Sequence, residues 1–186
     1  MGKRIKKYAT FLPEEAEKYI YVYWGYYTSI ENEYNRIYAT KDVDKYSEVR
    51  LYLAIGSEID VVLKTICQLL NNTYYGDNID DHKKEIQKNI DFGDWDDYHE
   101  EISYTDGTSL KPWNNTSWWT DYNNVKHKRT CLDNNNDLFF SHANKNNILN
   151  ALAALFILER QLYIYMEGFL LYEEPEMKKC QSTLFK

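Results

Sequence analysis

The stretch ILNALAALFIL, residues 148–158, decides the fold. Only Asn150 interrupts it, and a helix burying one stripe against a core carries far fewer apolar positions. The pattern continues at helical steps through Leu162, Tyr163, Met166, Phe169 and Leu170. One long helix is therefore expected from near His142 to about Tyr172. A helix of this composition is either central in a bundle or shared with a second copy of the chain. No uninterrupted apolar run approaches the length of a membrane span.

The rest of the chain reads in the same period. Tyr52, Ile55, Ile59, Val62, Leu63, Ile66 and Leu70 predict a second core helix opening at Ser47 and ending near Leu70. Gly56 within it would let a neighbouring backbone come close. Asp60 and Lys64 stand four apart in the order that favours an ion pair. Glu58 adjoins a core position, so it should sit at the margin of the buried face and take a cation or imidazole from another helix. Pro13-Glu14-Glu15 opens a further helix that carries Tyr19, Tyr23, Tyr26, Tyr27, Ile30, Tyr34 and Ile37 to about Tyr38. A shorter one spans Asp80 to Ile90.

Residues 91–113 are acidic and aromatic, and predict an irregular connection or a helix between loops. Residues 130–141 form a polar loop, and residues 1–12 a basic, poorly ordered lead-in. Glycine and proline are scarce, at 7 and 3, which argues against a turn-rich β chain. The expected class is all-α: a single domain over residues 1–186, a bundle of four main helices plus one short helix.

That short helix spans Ser117 to Arg129 (SWWTDYNNVKHKR). Trp119, Asn123 and His127 share one face at steps of four, and Trp118, Tyr122, Val125 and Arg129 lie on the adjacent one. Ser117 is the expected N-cap, and Lys126, His127, Lys128 and Arg129 suit the negative C-terminal end. The formal net charge is −7, so contact with nucleic acid would have to be local, and this cluster could supply it.

Several chemistries find no support. No glycine-rich phosphate loop or dinucleotide fingerprint occurs, and the Glu-x-x-His pairs of bundle dimetal sites are missing, so neither cofactor nor metal is expected. Cys67, Cys131 and Cys180 are odd in number and widely spaced, which fits a reduced compartment and a cytoplasmic location. No segment reads as a signal peptide or membrane anchor. An imidazole among cations, in contrast, suits metal-free RNA cleavage, in which a 2′-hydroxyl attacks the adjacent phosphorus. His127 would move the proton, and Lys126 or Arg129 would stabilise the charged intermediate.

The order of helices, the Gly56-Ser57-Glu58-Ile59-Asp60 segment, the Tyr122–His127 stretch and the apolar final helix resemble the HEPN superfamily. These are all-helical domains common in toxin–antitoxin, phage-defence and CRISPR-associated systems. The family signature is Arg, a polar residue, three further positions and His. Asn123 and His127 match the polar residue and the histidine, while Tyr122 stands in the arginine position. The resemblance implies a homodimeric, metal-independent endoribonuclease that leaves 2′,3′-cyclic phosphate ends. His127, Asn123, Lys126 and Glu58 would be its catalytic set, with Arg129, Lys128 and Tyr122 binding substrate. The alternative is a non-catalytic helical module that binds RNA, a nucleotide, or a protein partner such as an antitoxin or regulator.

Overall fold

Asp44 starts the second helix of the bundle. Its carboxylate accepts the backbone N–H groups of Tyr46 and Ser47 at 3.3 and 3.0 Å, so the helix begins at Lys45, two residues before the expected Ser47. The computed structural model describes residues 13–88, 100–167 and 181–186, with side chains for all of these except 13–16 and 164–167. It contains α1 (Pro13–Tyr38), α2 (Lys45–Leu70), α3 (Ile79–Lys88), α4 (Ser117–Lys128) and α5 (Lys145–Glu167). A 3₁₀ turn at Phe139–His142 precedes α5, which therefore begins three residues after the expected His142. The lead-in 1–12, Ile90, the 91–99 part of the acidic segment, Cys180 and the expected continuation of α5 to Tyr172 lie outside the described residues.

The chain is an all-α bundle with one small addition, because the 100–113 segment is neither plain loop nor helix. Strands β1 (Ile102–Ser103) and β2 (Ser109–Leu110) pair antiparallel, Ile102 opposite Leu110 and Ser103 opposite Ser109. Gly107 turns the chain between them at φ +90°, a conformation that only glycine adopts without strain. Two-residue strands carry too little alternation to be read from sequence.

The apolar run is central within one chain. From Ile148 to Leu158 every residue but Asn150 is buried, against α1, α2 and α4. Each fully buried Leu, Ile or Phe contributes roughly 1.5–3 kcal/mol, which is why α5 goes to the middle. The run is satisfied without a second copy and so provides no argument for a dimer. Two indoles pin the approach to α4: Trp113 donates to the Ala154 carbonyl at 3.2 Å and Trp118 to the Pro112 carbonyl at 2.8 Å. On α1, Tyr27, Ile30, Tyr34 and Ile37 face the core as expected, whereas Tyr26 is exposed.

Gly56 permits a close approach, but its neighbour is a ring rather than a backbone. A Cβ at this position would collide with the Tyr122 side chain of α4. The Tyr52 hydroxyl donates to the Trp118 carbonyl, and the Tyr52 and Tyr122 rings meet edge to face at 6.1 Å. The expected Asp60–Lys64 pair does not form: Lys64 reaches Asp77 at 3.2 Å, and Asp60 lies 3.4 Å from the buried His82.

Residues 181–186 return to the bundle. Ser103 and Lys186 exchange two backbone hydrogen bonds of 3.0 Å. Glu31 on α1, buried, accepts from Tyr27, Ser182 and the Thr183 backbone at 2.6, 2.6 and 2.7 Å, and from the Thr183 hydroxyl. A buried carboxylate with four donors is stable where an unpaired one would not be.

Gly56→Ala is expected to lower stability by about 1–3 kcal/mol through overpacking, against a gain of about 1 kcal/mol in helix propensity. Urea denaturation reads the difference, and a stabilised variant would mean that the Tyr122 ring swings away. Glu31→Ala strands the donors gathered on it and should lose about 2–3 kcal/mol by the same assay.

Candidate functional site

Helix α4 divides along its length into a packed half and a wet end. Thr116 rather than Ser117 is its N-cap and makes no side-chain cap bond; Asn115, one residue earlier, accepts the N–H of Ser117, which is already helical, at 3.1 Å. Trp118, Tyr122 and Val125 are buried, as their shared face predicts. Arg129 departs from that face, lying just beyond the helix and exposed. Asn123 turns its amide back along the helix and donates to the Trp119 carbonyl at 3.0 Å.

Lys126, His127, Lys128 and Arg129 are all exposed. The Lys126 ammonium lies over the Tyr122 ring, 5.5 Å from its centroid, a cation–π distance. Among the described residues none of these four side chains has a hydrogen bond or ion pair. The final turn is thus a small basic ridge whose charges are free to meet an anion. The helix dipole adds to its stability, because cations offset the partial negative charge of the last carbonyls.

The residues expected to act together separate into two places. His127, Asn123, Lys126, Lys128 and Arg129 occur together on α4. Tyr122 is spent on packing against Gly56 as a buried core ring, so it is not available to bind a substrate. Glu58 belongs elsewhere. It is buried on α2, burial raises its pKa from the ordinary carboxylate value, and it has no hydrogen-bond or ion-pair partner among the described residues. The imidazole or cation expected beside it is absent. Its charged neighbour is Glu159 of α5, and burial first and Glu58 second push that carboxyl well above its ordinary range.

Sequence reasoning passed over a second cluster that holds α4 in place. His142 bridges two carboxylates, with Nδ1 2.6 Å from Asp121 of α4 and Nε2 3.0 Å from Asp133 in the loop after it. Asn147 of α5 donates to Asp121 at 2.9 Å and to the His142 carbonyl at 2.9 Å. The loop is closed on itself: Asp133 accepts the N–H groups of Asn135 and Asp137 at 2.8 and 2.9 Å, and Asn136 takes φ +66°, which asparagine tolerates. Nothing local in sequence marks this bridge, because its members are spread over 26 residues from Asp121 to Asn147.

Other reactive groups are held inert. Burial, then the Glu85 charge, pushes the Cys67 thiol up to about 12, so it carries no thiolate at neutral pH. His82 is fully buried, with Nδ1 2.6 Å from the Tyr74 hydroxyl. Among the described residues no group of three or more His, Cys, Asp or Glu side chains is arranged to hold a metal ion. No described helix is long and apolar enough to cross a membrane. Comparison with protein-family models, curated proteins and solved structures finds no match for the chain.

Burial lowers the His142 pKa, but the hydrogen bonds and charges of Asp121 and Asp133 outweigh it and the net shift is upward. A raised folded-state pKa contributes stability that is full below the unfolded value, about 6.5, and fades as pH rises through the folded value. His142→Gln should therefore cost more stability at about pH 6 than at about pH 9. Denaturant midpoints of both proteins across that range test it, and a pH-independent difference would contradict an imidazolium bridge.

Proposed function

We propose that the chain is an RNA-binding module of HEPN-like architecture in which Lys126, Lys128 and Arg129 take the phosphates of a single strand. The observation that carries this reading is the exposed basic ridge at the end of α4, without a carboxylate partner among the described residues, in a chain of net charge −7. An acidic protein gains no general attraction for polyanions, so three unpaired cations on one turn are a local device. The His142 bridge supports the reading by anchoring, through Asp121, the helix whose last turn presents them.

A second reading, metal-independent cleavage of that RNA, draws on His127, which stands open to solvent among the cations with Asn123 one turn before it. Glu58 takes no part in it. Lys126, carried on the Tyr122 ring, would supply the charge that the family's arginine gives. A proton donor and acceptor on opposite sides of the phosphate would need the His127 of a second copy. In this reading the protein acts as a homodimer, formed through a face other than the buried α5 run.

Labelled single-stranded RNA, titrated by fluorescence anisotropy over a range of salt, tests both. Combined Lys126→Glu, Lys128→Glu and Arg129→Glu should weaken binding roughly tenfold or more and reduce the salt slope by about 2, at about 0.7 per lost phosphate contact. An unchanged slope would sink the binding reading. His127→Ala should leave affinity within about twofold, since the lysines and arginine supply the phosphate contacts. Cleavage in EDTA to 2′,3′-cyclic phosphate ends that disappears in this variant would establish the second reading.

A further inference from the structure

The segment that follows the basic ridge brings an exposed aromatic ring into its neighbourhood. After Arg129 the chain loops out and returns as Phe139 and Phe140, whose N–H groups donate to the Cys131 and Arg129 carbonyls at 3.0 and 3.1 Å. Phe140 is thus bonded to the last cation of the ridge through the backbone. Its ring meets that of Tyr46 edge to face, 5.4 Å between centroids. Tyr46, in the first turn of α2, is 66% exposed, and its hydroxyl has no hydrogen bond among the described residues.

Single exposed tyrosines are ordinary on a protein surface, and exposure alone assigns nothing. The surroundings of Tyr46 are more particular. The Lys45 ammonium before it donates to the Ser141 and Ala143 carbonyls at 3.2 and 2.6 Å and to Glu48 at 2.9 Å. These bonds pin the start of α2 to the turn after Phe140. Arg50 stands one helical turn along from Tyr46, on the same face. Its guanidinium donates to Ser47 at 2.8 Å and lies 3.9 Å from Asp44, an exposed pair too weak to hold it from a phosphate. Asp44 is an opposing charge, but it accepts the Tyr46 and Ser47 N–H groups at the positive end of α2.

A ring linked on one side to Arg129 through Phe140, and followed on the other by Arg50, has the make-up of a single-strand binding surface. There cations track the sugar–phosphate chain and aromatic faces take the bases. A duplex cannot use such a ring, because its bases are already stacked on one another. Resting on the RNA-binding reading of the ridge, we propose that Tyr46 is a stacking platform for an unpaired base of the bound strand, with Phe140 supporting its edge. The ligand of the ridge is then a strand with accessible bases, selected against duplex by the ring rather than by the cations.

Fluorescence anisotropy with three labelled RNAs tests this: a single strand, the same sequence as a duplex, and a single strand of abasic sugars. Tyr46→Ala should bind the single strand about tenfold more weakly than wild type, at an unchanged salt slope, as loss of one base stack implies. Tyr46→Phe keeps the ring and should stay within about twofold. On the duplex and the abasic strand, wild type and Tyr46→Ala should bind alike. Wild-type affinity of Tyr46→Ala for the single strand would overturn the stacking proposal, and salt-dependent binding that still needs the ridge cations would leave the binding reading standing. An equal loss on the abasic strand, or a loss in Tyr46→Phe as large as in Tyr46→Ala, would also overturn it. Absence of salt-dependent binding by wild type would overturn both.

Discussion

A helix without a polar face must be enclosed, and most of this architecture answers that demand for α5. Helices α1, α2 and α4 supply the enclosure, and the small residues Ala151, Ala153 and Ala154 let them approach closely. One backbone carbonyl within the enclosed stretch gains an extra donor from Trp113, which ties the loop before α4 to the centre of the molecule. The position of α4 is thus a consequence of α5. Once Trp118, Tyr122 and Val125 are committed inward, the last turn of α4 has nothing left to bury, and its cations face water.

The acids held within the fold, some buried and some half-buried, show two solutions to one electrostatic problem. Glu31, and Asp121 with Asp133, gather donors from segments distant in sequence, and the ion in each case fastens the chain to itself. Such sites are closed, since their lone pairs are occupied by the protein. Glu58 and Glu159 stand apart because helical geometry brings together two side chains of the same sign. Burial raises both pKa values, and the Glu58 charge raises that of Glu159 further, so this region favours the protonated acid. The same molecule therefore holds a basic ridge outside and two acids without cations inside, on different helices.

How much of this could be read from the chain follows from the range of the interactions. The helices of the bundle came from the period of the apolar residues, and α2 is the clearest case, with Tyr52 through Ile66 buried as spaced. Ends were less legible: Asp44 caps α2 and Thr116 begins α4 with Asn115 holding the Ser117 N–H, where Ser47 and Ser117 are equally plausible by composition. The basic ridge was legible because four adjacent residues form it. Glu58 was placed at a buried margin correctly but given the wrong company, since no local rule says that α5 rather than α4 lies across from it. Glu159 had a signal that went unused. It follows Leu152 and Leu155 at the helical step of the core stripe, where a carboxylate is out of place.

The segment 181–186 has a consequence for the order in which the molecule assembles. Contacts between helices adjacent in sequence close short loops, whereas the bonds from Ser182 and Thr183 to Glu31 span 151 and 152 residues. Loop closure over such separations is slow and entropically costly, and it gains nothing until both ends are already shaped. The pairing with Ser103 has the same requirement, because β1 must exist first. This segment can therefore dock only onto α1 and β1 already in place, and in docking it also buries Leu184 and Phe185 against the core. Its release would uncover the Tyr27 hydroxyl and the Glu31 carboxylate, and with them the core surface that Leu184 and Phe185 cover.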